Sequence, residues 1–159
     1  MSALLVVSAI ILRDCSRASL TIRSDSSLLL KAHNGIEWAI RPINAYRLAL
    51  NAPKDARIYN GYARIPETSP LFGLIAAGGI ENTIGWDITY VGDDGWIGFD
   101  TAHAWDVWDF DPLYKATPGV EPDTGMFTPR YWNVGKVVEE AKGLCDRIRE
   151  AETTLQAQR

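Results

Sequence analysis

Between residues 100 and 111 the chain reads DTAHAWDVWDFD, which sets Asp100, His103, Asp106, Asp109 and Asp111 among Trp105, Trp108 and Phe110. So dense a group of titratable side chains raises two chemistries. Carboxylates with one imidazole are a ligand set for a divalent metal, whose bound water becomes a nucleophile near neutral pH. Alternatively, a carboxylate orients His103 as a general base, because imidazole changes charge close to neutrality. Were the segment to turn helical at Thr101, then Asp100, His103 and Asp106 would recur at i, i+3 and i+6 and crowd one side. The Asp-x-x-His-x-x-Asp pattern is a loose one. A structural reading stands beside both and is preferred on spacing alone. In it Asp100 caps a turn, His103 is a satisfied core histidine, and Asp106, Asp109 and Asp111 form a solvated edge over packed tryptophans.

Aromatic residues offer a second route to a site. Trp86, Trp96, Trp105, Trp108, Tyr114, Tyr131 and Trp132 are concentrated in the second half of the chain. Their flat apolar faces and polar edges suit stacking on a base, a sugar or a guanidinium, although packing accounts for most of them. Glu67 and Asp87 read as surface carboxylates, His33 as the flank of a turn, and Cys145 as an inert core thiol.

These residues need elements to position them. Residues 28–30 and 38–40 flank Asn34-Gly35, a dipeptide that favours a tight hairpin turn. Pro42 then limits the second arm as a central strand. Residues 56–65 (ARIYNGYARI) predict a strand with a bulge at Gly61, and residues 66–70 a loop. The clearest signal is a β-hairpin over residues 86–100, WDITYV and WIGFD joined by the turn Gly92-Asp93-Asp94-Gly95. Residues 4–12 (LLVVSAIIL) and 18–22 predict strands, residues 45–50 a helical turn, and residues 111–129 a connector. From Asn133, a plausible cap, to about Ala157 the apolar residues Val137, Ala141, Leu144, Cys145, Ile148, Ala151 and Leu155 trace one helical stripe. The fold class expected is therefore α+β: a mostly antiparallel sheet covered by one long C-terminal helix. Residues 1–32 read as N-terminal strands or an extension, and residues 33–159 as a single domain.

Composition bounds what such a domain does. At 159 residues with 47% hydrophobic and 23% charged residues, the chain is ordinary globular material. A net charge of -4, with no run of three basic residues, argues against a nucleic-acid backbone as partner. The apolar run at 4–12 is far shorter than the roughly 20 residues that span a bilayer, and no basic residue precedes it as in a secretory signal. Cys15 and Cys145, one near each end, read as free thiols in a reducing compartment. A cytoplasmic protein without a membrane partner is expected.

Four stretches occur in a familiar order: Gly61-Tyr62-Ala63-Arg64-Ile65-Pro66, Ser69-Pro70-Leu71-Phe72-Gly73, Ile88-Thr89-Tyr90, and Trp96-Ile97-Gly98-Phe99-Asp100-Thr101-Ala102-His103-Ala104-Trp105-Asp106. This order resembles an uncharacterised family of short proteins encoded by bacteriophages, prophages and related bacterial genomes. Its members look like G-Y-V-x-V-P…H-P-x-Y-G, then H-G-G-(I/L)-T-(Y/F), then G-(W/F)-x-x-G-F-D-C-A-H-x-x-D, then a C-terminal helix. The resemblance spans roughly residues 57–148 and carries no activity with it. The chain departs from the pattern where it has Ser69, Gly85 and Thr101 in place of two histidines and a cysteine, while Asp100, His103 and Asp106 remain.

Residues and resemblance together lead to an expected function. The protein would be a phage-type accessory protein that binds a small molecule or a host protein in the cytoplasm, the host's if phage-encoded, and interferes with host defence or regulation. The pocket would be lined by Trp86, Trp96, Asp100, His103, Trp105 and Asp106. One alternative is a hydrolase in which Asp100, His103 and Asp106 are catalytic or hold a metal. Another is a structural phage component. The sequence names no cofactor, no particular metal and no oligomeric state.

Overall fold

The computed structural model describes residues 29–45, 52–85, 87–103, 106–111 and 130–158. The strands expected over 4–12 and 18–22, nearly all of the helical turn over 45–50, Trp86, Trp105 and most of the connector lie outside these residues.

Strands β1 (Leu29–His33) and β2 (Ile36–Asn44) form the first antiparallel hairpin. Its two central residues, Asn34 and Gly35, sit at φ 50° and 74°, the left-handed pair of a type I′ turn. The boundary expected at residue 33 thus falls inside a hairpin, because β1 already starts at Leu29. Along β2 the core side chains Ile36, Trp38 and Ile40 alternate with exposed Glu37 and Arg41, the period-2 pattern of a sheet with one strongly buried face.

Strand β3 (Arg57–Arg64) pairs with β2 from Trp38↔Ala63 to Asn44↔Arg57. Pro42 lies within β2, and hydrogen-bond parity explains why it fits. The Ala45 N–H donates to the Ala56 carbonyl at 3.1 Å, so odd residues of β2 bond toward β3 and Pro42 faces the other way. The missing N–H therefore costs no rung with β3, and the described β1 pairing reaches only Leu29↔Ile40. The bulge expected at Gly61 is absent. Register runs unbroken through Ile40↔Gly61 and Gly61↔Phe99. The glycine serves a close approach instead, since a Cβ there would overlap the Phe99 ring.

Two short helices follow that the sequence reading did not contain, α1 (Phe72–Ala77) and α2 (Ile80–Ile84), separated by Gly78-Gly79. Neither is long enough to show an apolar period of its own. The second hairpin is present, with its ladder confined to β4 (Tyr90–Val91) against β5 (Trp96–Phe99). The Gly92 N–H donates to the Trp96 carbonyl and the Gly95 N–H to the Gly92 carbonyl, closing the turn. Thr89 still donates its N–H to the Gly98 carbonyl at 2.8 Å, but residues 87 and 88 leave the ladder: Ile88 is buried in the core and Asp87 is held by Arg147 at 2.9 Å. The five strands run in the order β1-β2-β3-β5-β4, all antiparallel.

Thr101, Ala102 and His103 are not helical. The chain then reaches β6 (Asp106–Trp108), which pairs in parallel with β7 (Arg130–Trp132) in a separate two-stranded sheet. Helix α3 (Val134–Ala157) then covers the main sheet. Its cap is Asn133, whose side chain accepts from the Lys136 N–H at 2.9 Å. Val137, Ala141, Leu144, Cys145 and Ile148 are all fully buried against Ile36, Trp38, Ala63 and Ile97. Burial of each large apolar side chain in that stripe contributes about 1.5–3 kcal/mol. A smaller cluster of Ala39, Tyr62 and Trp96, with Tyr90 against it, occupies the opposite side of the sheet. The molecule is an α+β fold. Among the described residues no helix is long and apolar enough to cross a membrane.

Candidate functional site

Strand β5 delivers Asp100 at its exit, and the backbone there is pinned from several sides. The Asp100 N–H donates to Thr89 Oγ1 at 2.9 Å. Thr101 is fully buried, with its N–H donating to Asn60 Oδ1 and its hydroxyl donating to the Tyr59 carbonyl at 2.8 Å. The Trp108 indole N–H in turn donates to the Thr101 carbonyl at 3.0 Å. A turn follows in which the Ala102 N–H donates to Asp100 Oδ1 at 3.1 Å and the Asp106 N–H to the His103 carbonyl at 3.0 Å. This tight turn does what the helix was expected to do. One ligand atom each of Asp100, His103 and Asp106 lies within 4.8 Å of the others.

Asp106 is the hub. Its side chain is 1% exposed. Oδ1 accepts from Arg130 Nε at 2.8 Å and from Trp132 Nε1 at 2.9 Å. Oδ2 accepts from the His103 backbone N–H at 2.9 Å and from Arg130 Nη2 at 3.0 Å, and lies 3.0 Å from His103 Nδ1. Arg130 stands directly opposite Asp106 in the parallel register of β6 and β7, which is why the fork reaches both oxygens. Its guanidinium carbon also lies 5.4 Å from the centre of the Trp132 ring.

Three groups face His103 Nδ1: Asp106 Oδ2 at 3.0 Å, Asp100 Oδ1 at 3.3 Å and Arg130 Nη2 at 2.7 Å. The nitrogen cannot both donate to a carboxylate and accept from the guanidinium, so the charges around it decide. The hydrogen bond to Asp106 is the largest influence; burial opposes it, and the charges of Asp100 and Asp106 outweigh that of Arg130. The imidazole therefore holds its proton to a pH above its ordinary range. Burial alone would push the Asp106 carboxyl up, but its hydrogen bonds with His103, Arg130 and Trp132 together bring it below the usual carboxylate range.

The donor set fits a metal poorly. The guanidinium already neutralises Asp106 through two nitrogens, and its Nη2 lies 2.7 Å from the imidazole nitrogen that would be the third ligand. A divalent cation would meet a fixed positive charge. Two hydroxyls are likewise spent on backbone. Thr101 donates to Tyr59, as above, and Ser69 Oγ accepts from the Leu71 N–H at 3.2 Å.

Of the expected site residues, Asp100, His103 and Asp106 come together and Trp96 does not join them. Trp96 is buried with Ala39 and Tyr62 at the start of β5, four residues and about 13 Å along the chain from Asp100. Trp86 and Trp105 lie outside the described residues. Arg130 and Trp132 complete the site, and sequence reasoning missed the role of both. They lie 24 and 26 residues beyond Asp106, a spacing that no local period connects. The signal that remained was the demand of a buried carboxylate for a cation. Asp87 pairs with Arg147, His33 flanks its turn, and the Cys145 thiol, fully buried, is pushed up by burial to about 12. No family model, no curated protein and no solved structure matches the chain.

Proposed function

We propose that the protein is a phage-type accessory protein that binds a small molecule or a host protein at the surface formed by Asp100 and His103, and so interferes with host defence or regulation. One observation carries the reading: Asp106 accepts from four N–H groups and is sealed from solvent, so it is consumed in bracing His103. What reaches the surface is a held imidazole, 30% exposed, beside the Asp100 carboxylate, 13% exposed. A donor and an acceptor fixed side by side favour recognition, because little side-chain entropy is left to lose on binding. The resemblance in the Trp96–Asp106 stretch supports the phage setting, and the acidic net charge supports a partner other than nucleic acid.

A second reading is favoured by one distance. Asp106 Oδ2 at 3.0 Å from His103 Nδ1 is the contact by which a carboxylate orients a general base, so a hydrolase using His103 is the alternative. A thermal-melt screen against nucleotides, nucleotide-derived signals and divalent metals, run beside His103→Ala, tests both. A ligand at about 100 times its Kd adds about 2.7 kcal/mol and raises the midpoint by roughly 5–10 °C. The expected shift disappears in His103→Ala. Equal shifts in both proteins remove the site. Consumption of excess ligand, in place of saturation at fixed stoichiometry, moves the conclusion to the hydrolase.

A further inference from the structure

The dipeptide Asn-Gly occurs twice, at Asn34-Gly35 and Asn60-Gly61. A glycine nitrogen is the least hindered nucleophile that the backbone presents to a preceding asparagine amide, since no Cβ stands beside it. Tertiary structure gives the two copies opposite surroundings. Asn60 is 2% exposed in β3, with Oδ1 accepting from the Thr101 N–H. Gly61 is paired to Ile40 on one side and Phe99 on the other, under the Phe99 ring. Asn34 and Gly35 are both exposed, in the turn between β1 and β2.

Titratable and charged groups flank the exposed copy. Asn34 Nδ2, the nitrogen that must leave, donates to Asp146 Oδ1 at 2.7 Å and lies 3.3 Å from His33 Nε2. Arg149 Nε donates to the Asn34 carbonyl oxygen at 2.9 Å, and its Nη2 would lie 2.8 Å from a Cβ built on Gly35. A charged donor on that carbonyl draws electron density from the Asn34–Gly35 peptide, and the same cation stabilises a deprotonated Gly35 nitrogen.

We propose that Asn34 is a self-modification site. The Gly35 nitrogen attacks Asn34 Cγ; the N–Cγ bond forms, the Cγ–Nδ2 bond breaks, and the Gly35 amide proton departs with the side-chain nitrogen as ammonia. Water then opens the succinimide at either carbonyl, leaving aspartate or isoaspartate at position 34. Neither step needs an oxidant or a reductant. The product replaces an N–H donor facing Asp146 with a second carboxylate, and the isoaspartate form adds a backbone methylene to the type I′ turn. Both loosen the turn from α3.

Intact mass and peptide mapping of the whole chain, held at mildly alkaline pH with and without urea, test this. In the folded protein Asn34 converts from amide to acid while Asn60 stays an amide, and Asn34 reacts at least as fast folded as in urea. In urea both sites react. Arg149→Lys slows the folded reaction severalfold and leaves the reaction in urea unchanged. The converted protein melts lower than the fresh one, as does Asn34→Asp. An Asn34 that stays an amide when folded and reacts only in urea overturns the proposal. So does scission between Asn34 and Gly35, which would mean that Nδ2 attacks its own carbonyl. Because the first comparison uses the unaltered chain, it stands even if the Arg149 variant folds poorly.

Discussion

Each of the two histidines has an aspartate close by, His33 with Asp146 at 2.9 Å and His103 with Asp106 at 3.0 Å, the nearer of its two carboxylates. The histidines are equally exposed, 31% and 30%, so neither distance nor imidazole burial separates the two pairs. The carboxylates do: Asp146 is 54% exposed and Asp106 is 1%. An exposed carboxylate is hydrated on its free side, and its attraction to the partner is screened. A sealed one must have its lone pairs met by the protein, and Asp106 meets them with N–H groups from the preceding turn, from β7 and from its fork with Arg130. The same two residue types at the same distance thus make a surface tether in one place and an organising centre in the other.

The largest effect that tests this contrast is Asp106→Ala. It strands the Trp132 indole N–H, the His103 N–H and the Arg130 fork together, and should cost roughly 2–4 kcal/mol in urea unfolding. A loss below about 0.5 kcal/mol would make the two contacts equivalent and dissolve the contrast.

The next effect is on pH. Asp106 sits low when folded, so its contribution is complete above the unfolded carboxylate range near 3.8 and is lost as pH falls through the folded value. His103 sits high, so its contribution is complete below about 6.5 and is lost as pH rises through the folded value. The cluster should therefore stabilise most between about pH 4 and 6.5, and the melting midpoint of wild type minus that of Asp106→Ala should peak there. A difference that is flat across that window and beyond it would break the assignment.

A smaller change follows from Asp100→Asn, which removes one of the two negative charges facing His103. The imidazole should titrate at lower pH, read from its ring-proton shifts, with Asp106 still in place. The smallest effect is Asp146→Ala, expected to cost about 0–1 kcal/mol and to shrink further in high salt. A cost matching that of Asp106→Ala would show that burial does not set the worth of these pairs.

Much of the fold was legible along the chain, and the reason differs by element. Helix α3 announced itself because its apolar stripe repeats for about five turns and is preceded by a cap residue, Asn133. The hairpin at Asn34-Gly35 was legible because a two-residue turn with both residues left-handed admits few dipeptides. Helices α1 and α2 were not, since five or six residues carry too little period to be told from a loop. The clustering of Asp100, His103 and Asp106 was anticipated through a helix, but residues 101–103 are not helical and Asp106 lies in β6; a hydrogen bond from the Asp106 N–H to the His103 carbonyl draws the three together. Trp96 was placed with that cluster by proximity in sequence, but it packs with Ala39 and Tyr62 at the start of β5, whereas the cluster forms past the other end of that strand.

Sequence alone determined what depends on neighbours: the turn at Asn34-Gly35, the cap and stripe of α3, the proximity of Asp100 to His103. Only the tertiary structure decided what depends on distant partners. It brought Arg130 and Trp132 onto Asp106 across 24 and 26 residues, left Asp146 in water, and buried one Asn-Gly while exposing the other. Local propensity acts through a few bonds of backbone, whereas burial is a property of everything that packs around a residue. The chemistry of a carboxylate or an amide follows its burial.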